Sequence, residues 1–125
     1  MKAKVKDIFT PYTFQDSTYE LRATFNVEAE LMDRFGGTVG DAMTGNAAAK
    51  NALVIMEILI NEAVDWHNEK YPDNPWRYVD AKYIGRHVND EEGGIQGMMQ
   101  AITQTMTASR PEINEDELTD EEKNG

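Results

Sequence analysis

The sequence predicts a mainly α fold with a small N-terminal β-hairpin (α+β), built from about four helices, the second the longest and central. Three observations predict it. Between Asn46 and Lys70 apolar residues recur with the helical period and no Gly or Pro interrupts them. Tyr19 to Phe25 alternates Tyr19, Leu21, Ala23 and Phe25 against Glu20, Arg22 and Thr24, the period of a half-buried strand. Gly36-Gly37, the Tyr71–Pro75 segment and the Asn89–Gly94 segment cut the rest into short periodic pieces.

The bulk numbers bound the answer. A chain of 125 residues with 40% hydrophobic content supports one domain and one modest core. Residues 1–110 are expected to form that domain, with 1–25 extended or hairpin and 26–108 helical. Residues 111–125 are expected to be an acidic disordered tail: from Pro111 onward seven acidic residues face one Lys, which places −6 of the net −11 there. The remaining −5 carries no basic patch, so binding to nucleic-acid phosphates is not expected. The absence of cysteine excludes disulfides, zinc–thiolate sites, iron–sulfur clusters and a thiol nucleophile. Met1 to Lys6 is basic without an apolar run behind it, unlike a secretory signal. Ala52 to Ile60, the longest apolar stretch, is broken by Glu57 and far too short for a membrane span. A cytosolic protein is expected.

Residues 1–18 read as extended, with Ile8-Phe9-Thr10-Pro11-Tyr12-Thr13-Phe14 rich in aromatic and β-branched types and Gln15 to Thr18 turn-like. This piece and Tyr19–Phe25 are the two arms of the hairpin. Asn26 suits an N-cap, since its side-chain oxygen can accept from free amides of the next turn. The first helix then runs from about Val27 to Phe35, with Val27, Leu31 and Phe35 on one face and Gly36-Gly37 as the stop. A helical turn over Val39–Met43 precedes the second helix, about Asn46–Lys70. Tyr71-Pro72-Asp73-Asn74-Pro75 is a loop. The third helix covers about Tyr78–Val88 and the fourth about Ile95–Ala108, closed by Pro111.

Candidates for chemistry are few. The histidines are His67 and His87. Glu62 lies five residues before His67, which is not the spacing of two ligands on one helical face, and there is no His-Glu-x-x-His run. The expected role of both rings is ordinary hydrogen bonding at the core margin. Gly36-Gly37-Thr38-Val39-Gly40 lacks the Lys-Ser/Thr of a phosphate loop and reads as helix punctuation. Glu28/Glu30 and Glu91/Glu92 read as solvated faces, and Trp66 and Trp76 as core or loop anchors. The acidic tail lacks the regular spacing and central Gly of a calcium loop. No catalytic residue, cofactor or metal site is therefore expected.

A binding face is the remaining reading. In the fourth helix Ile95, Met98, Met99, Ile102 and Met106 form an apolar stripe, backed by Gln96, Gln100, Thr103, Gln104 and Thr107 in place of charges. Charge depletion with methionine enrichment marks interface centres, and methionine repacks readily around varied partners. These five residues, with Met56 of the second helix, are the expected apolar client-binding surface; the alternative is that the fourth helix is simply an uncharged helix packed in the domain core.

The stretch Leu21-Arg22-Ala23-Thr24-Phe25-Asn26-Val27-Glu28-Ala29-Glu30-Leu31-Met32-Asp33-Arg34-Phe35-Gly36-Gly37 resembles the opening of the tail assembly chaperones of siphoviruses and prophages. Those proteins show a strand ending in Phe-Asn, a helix with Glu-Leu in its middle and a Phe-Gly stop, then a long apolar helix and further helices. The resemblance covers roughly residues 19–108. It implies a protein of the host cytoplasm, absent from the mature virion, that coats the apolar helical tape measure protein until the tail tube polymerises. It leaves contact with the major tail tube protein and self-association open, implies no catalytic residues, and allows a frameshift-extended form. Other classes consistent with the sequence are a phage connector or tail accessory protein, an acidic inhibitor mimicking nucleic acid, and an enzyme with a site around His67 or His87.

Overall fold

A computed structural model describes residues 7–108; the acidic tail lies outside the described residues. The fold is α+β. A two-stranded antiparallel hairpin, β1 (Thr10–Phe14) and β2 (Ser17–Leu21), is followed by α1 (Phe25–Phe35), α2 (Val39–Ala42), α3 (Ala48–Lys70), α4 (Ala81–His87) and α5 (Gly94–Ala108), with a 3₁₀ turn at Val88–Asp90 after α4.

In the hairpin Thr10 pairs with Leu21 and Phe14 with Ser17. The two-residue turn is Gln15-Asp16, both at positive φ (52° and 69°). That is the geometry matching the right-handed twist of paired strands, and here it is adopted without glycine. The tip is fastened from outside: the Gln15 amide and its Nε2 both donate to Glu91 Oε1, at 2.7 and 3.0 Å. Glu91 is thus a structural anchor and not merely a solvated charge. The alternation in β2 sends Tyr19 and Leu21 into the core, along with Phe14 of β1. The strand stops four residues earlier than its sequence pattern suggests, because Thr24 turns out of the ladder to start α1. The Thr24 side chain accepts from the Val27 amide at 3.2 Å, so the N-cap is Thr24, and Asn26 lies inside the first turn. Gly36 at φ 66° ends the helix, its amide donating to the Met32 carbonyl at 2.8 Å.

The third helix in chain order, α3, is the longest at 23 residues and is central: it packs against α1, α2, α4, α5 and β2. Ala52, Ile55, Met56, Ile58, Leu59, Ile60, Ala63 and Val64 are all buried. A helix buried on this much of its circumference needs neighbours on several sides, which is what the fold supplies. At the α3–α4 crossing, a Cβ on Gly85 would stand 3.0 Å from Leu53 Cδ1, so a larger residue there would push that side chain aside.

The polar side of α3 ties down the following segment. Asn61 and Asn68, seven residues apart, each grip one backbone unit at both ends. Asn61 Nδ2 donates to the Val79 carbonyl at 2.8 Å while its Oδ1 accepts from the Val79 amide at 2.9 Å. Asn68 does the same with Trp76, at 3.2 and 2.8 Å. Glu57, on the same stripe, accepts from the Ala81 amide at 2.7 Å. These side chains substitute for a missing strand partner, satisfying backbone groups that α3 would otherwise cover unpaired. Asn61→Ala leaves two partly buried backbone groups without partners. The expected cost is about 1–3 kcal/mol, with loss of amide protection concentrated at Val79 in hydrogen exchange.

Candidate functional site

The stripe read as a client dock lies largely inside the molecule. Met56, Met98 and Ile102 are fully buried, and Ala101 and Thr105 of α5 are buried beside them. Ile95, Met99 and Met106 are half-buried and pack on the same core cluster. This corrects the reading of Met56, Met98 and Ile102 as a surface: α5 spends its apolar face on α3 and β1. The charge-free outer side of α5 has a local account. Thr103 and Thr107 turn their hydroxyls back onto the Met99 and Thr103 carbonyls at 3.1 and 2.8 Å, as the buried Thr105 does onto the Ala101 carbonyl at 2.7 Å.

The residues weighed for catalysis do not converge. The His67 ring stacks on Trp76, centroids 3.6 Å apart and planes at 8°, and its Nε2 sits 2.9 Å from the Asn74 carbonyl oxygen. His87 instead pairs with Asp90 at 3.4 Å and tilts against Tyr83. Glu62 accepts from the Thr24 hydroxyl at 2.9 Å and from the Trp66 indole N–H at 3.3 Å. Both rings are margin residues making local contacts, and Trp76 is a loop anchor, with its edge against Tyr19 at 5.3 Å. Among the described residues no three His, Cys, Asp or Glu side chains are placed to hold a metal ion, and no helix is long and apolar enough to cross a membrane.

What the structure exposes is a different apolar face. Phe25, Ala29 and Met32 recur at i, i+4 and i+7 on α1 and point away from the core, with Phe25 86% and Met32 59% exposed. The inner face of the same helix holds Val27 and Leu31. A helix with apolar stripes on two sides has one for the core and one to spare.

Between α1 and α3 lies an open groove of about 380 Å³, lined on its α1 side by Asn26, Val27, Glu30 and Arg34; Asn26 and Glu30 each follow a stripe residue, Phe25 and Ala29, in the chain. Four carboxylates line it, Glu30, Glu57, Glu62 and Asp65, against the single cation Arg34. Arg34 is paired with Glu30 at 3.3 Å. Glu57 and Glu62 hold only the neutral donors already named, and Asp65 accepts from the Tyr78 hydroxyl. That bond keeps the Tyr78 proton in place and raises its pKa above the ordinary value. Among the described residues none of these three carboxylates is in an ion pair.

A second cavity, about 460 Å³, opens where Arg22 lies. Arg22 is buried on β2's exit, its guanidinium 4.1 Å over the Trp66 ring and 5.2 Å from Phe9. Asp7 accepts two bonds of 2.8 Å from it, and Glu20 accepts one of 3.0 Å at its carboxylate and one of 3.3 Å at its backbone carbonyl. The Arg22 hydrogen bonds hold the Asp7 carboxyl below its ordinary pKa, and the same bonds raise that of Arg22. The cation is fully matched, so the cluster works as a latch between the N-terminal segment and α3.

No family model matches the chain, and no solved structure matches it. Over 84 residues the chain is 34% identical to epidermal growth factor-like protein 6 of Xenopus laevis, a match covering 65% of this chain and 15% of that protein. Epidermal growth factor modules are small disulfide-stapled scaffolds, and a chain without cysteine cannot form one. The similarity spans too little of that relative to carry its properties to this chain.

Proposed function

We propose that this chain is a phage tail assembly chaperone that acts by binding and not by catalysis: it covers apolar helical segments of the tape measure protein in the host cytoplasm and leaves before the virion is complete. The observation that carries the reading is the outward stripe Phe25, Ala29 and Met32 on α1. It lies within the segment that resembles those chaperones, and it gives an exposed apolar helix face to which a client helix can be matched. On this reading α1, in preference to α5, is the docking face.

The mechanism is physical. A client helix exposes an apolar stripe that would associate with other client helices. The α1 stripe competes for it, gaining roughly 25 cal/mol for each Å² of apolar surface removed from water before ordering costs. Such contacts are individually weak, so many copies act along one client and tube subunits can displace them. Co-expression with a phage tape measure protein tests the reading. The client is expected in the soluble fraction only when this chain is present. An insoluble client at equal expression, or this chain recovered as a component of purified virions, would overturn it.

A further inference from the structure

We infer that the α1–α3 groove selects a cationic amphipathic helix, lying along Phe25 and Met32 with its Lys or Arg side chains over Glu57, Glu62 and Asp65. The inference rests on the helix-binding reading above and specifies the chemistry of the bound segment.

Two features meet at the edge of α1 that Asn26 and Glu30 mark, and they fit one partner. The first is the exposed stripe on α1. The second is the set of acids on α3 that line the groove: Glu57, Glu62 and Asp65 span eight residue steps, about 12 Å at the helical rise of 1.5 Å per residue. Asn26, Glu30 and Arg34 of α1 form the opposite wall, with Arg34 neutralised by its pair with Glu30. A line of carboxylates about two turns long matches Lys or Arg side chains spread along one partner helix, with an apolar face turned to Phe25. The carboxylates are also preset. The Ala81 amide, the Thr24 and Tyr78 hydroxyls and the Trp66 indole hold Glu57, Glu62 and Asp65 in place, so little side-chain freedom is lost on binding. Each carboxylate keeps acceptor capacity beyond these bonds. A compact cation cage is not the arrangement, since no three acidic groups here converge on one point among the described residues. An acidic or nucleic-acid partner would meet like charge.

The test uses the full chain and two synthetic helical peptides of about 20 residues, long enough to form helix on docking. Both carry the same Leu/Ala face; one is flanked by Lys and the other by Glu. Anisotropy titrations are expected to show the Lys peptide binding at least about tenfold tighter, with the gap narrowing as salt rises and screening shortens. The triple variant Glu57→Gln, Glu62→Gln, Asp65→Asn keeps hydrogen-bond acceptors at all three positions. It is expected to weaken the Lys peptide about tenfold with an unchanged circular dichroism spectrum. Equal affinity for the two peptides, or binding of neither, overturns the inference. The two readings fail separately. If peptide affinities are equal while the client stays soluble, only the charge rule falls. If the Lys peptide is preferred while the client precipitates, only the chaperone reading falls.

Discussion

Phe25→Ser combined with Met32→Gln is expected to weaken client binding by about 3 kcal/mol, roughly a hundredfold, while leaving the chain folded. Burying a Phe or Met side chain contributes about 1.5–3 kcal/mol, and both are open to solvent in the free chain. Neither change disturbs the core, because Val27 and Leu31 on the other face of α1 hold the helix in place. Both replacements are uncharged, so the groove acids are untouched and the loss reports the apolar contact alone. In co-expression the double variant should leave the client insoluble although the variant itself is made and soluble. A thermal midpoint within about 2 °C of the parent checks that folding is intact. Retained client solubility would move the docking face away from α1.

Ile102→Ala is expected to cost about 2–5 kcal/mol of stability, as deletion of a fully buried branched side chain does. Ile102 sits on α5 where that helix packs against α3 and β1, among Met98, Ala101 and Thr105. Close-packed neighbours cannot fill the space completely, so the cavity adds to the lost transfer energy. For a domain of this size the thermal midpoint should fall by roughly 10–20 °C. A surface residue of a docking face would cost well under 1 kcal/mol on the same change. The measurement therefore separates the two roles of the α5 stripe directly. Denaturant unfolding of Ile102→Ala and of Met32→Ala side by side should show a large loss in the first and almost none in the second.

The fold class was legible because its strongest signals are periodic. The run from Ala48 to Lys70 keeps its helical period for 23 residues, and the alternation through Tyr19 and Leu21 marks β2. Punctuation was legible too: Gly36 and Thr38 end one helix and start the next, as their residue types suggest. What the pattern could not show was which of two apolar stripes is used internally. The α5 stripe is strongly periodic in either case, and only its contact with α3 and β1 decides that it is core. The α1 stripe was hidden by a boundary: with Phe25 placed at the end of a strand, Phe25, Ala29 and Met32 do not share a face. The Thr24 cap moves the helix start by two residues, and the second stripe then appears. The grip of Asn61 and Asn68 on a distant backbone leaves no trace in local spacing. The groove acids were scattered along the chain as Glu30, Glu57, Glu62 and Asp65, and only the packing of α1 on α3 gathers them.

The most direct test of the α1 docking face is a methyl spectrum of the chain labelled at its seven methionines, taken with and without a tape measure segment. Met32 is exposed on α1, whereas Met56 and Met98 are sealed in the core. Binding is predicted to shift or broaden the Met32 methyl and leave those of Met56 and Met98 where they were. A spectrum in which Met98 moves and Met32 does not would contradict the account.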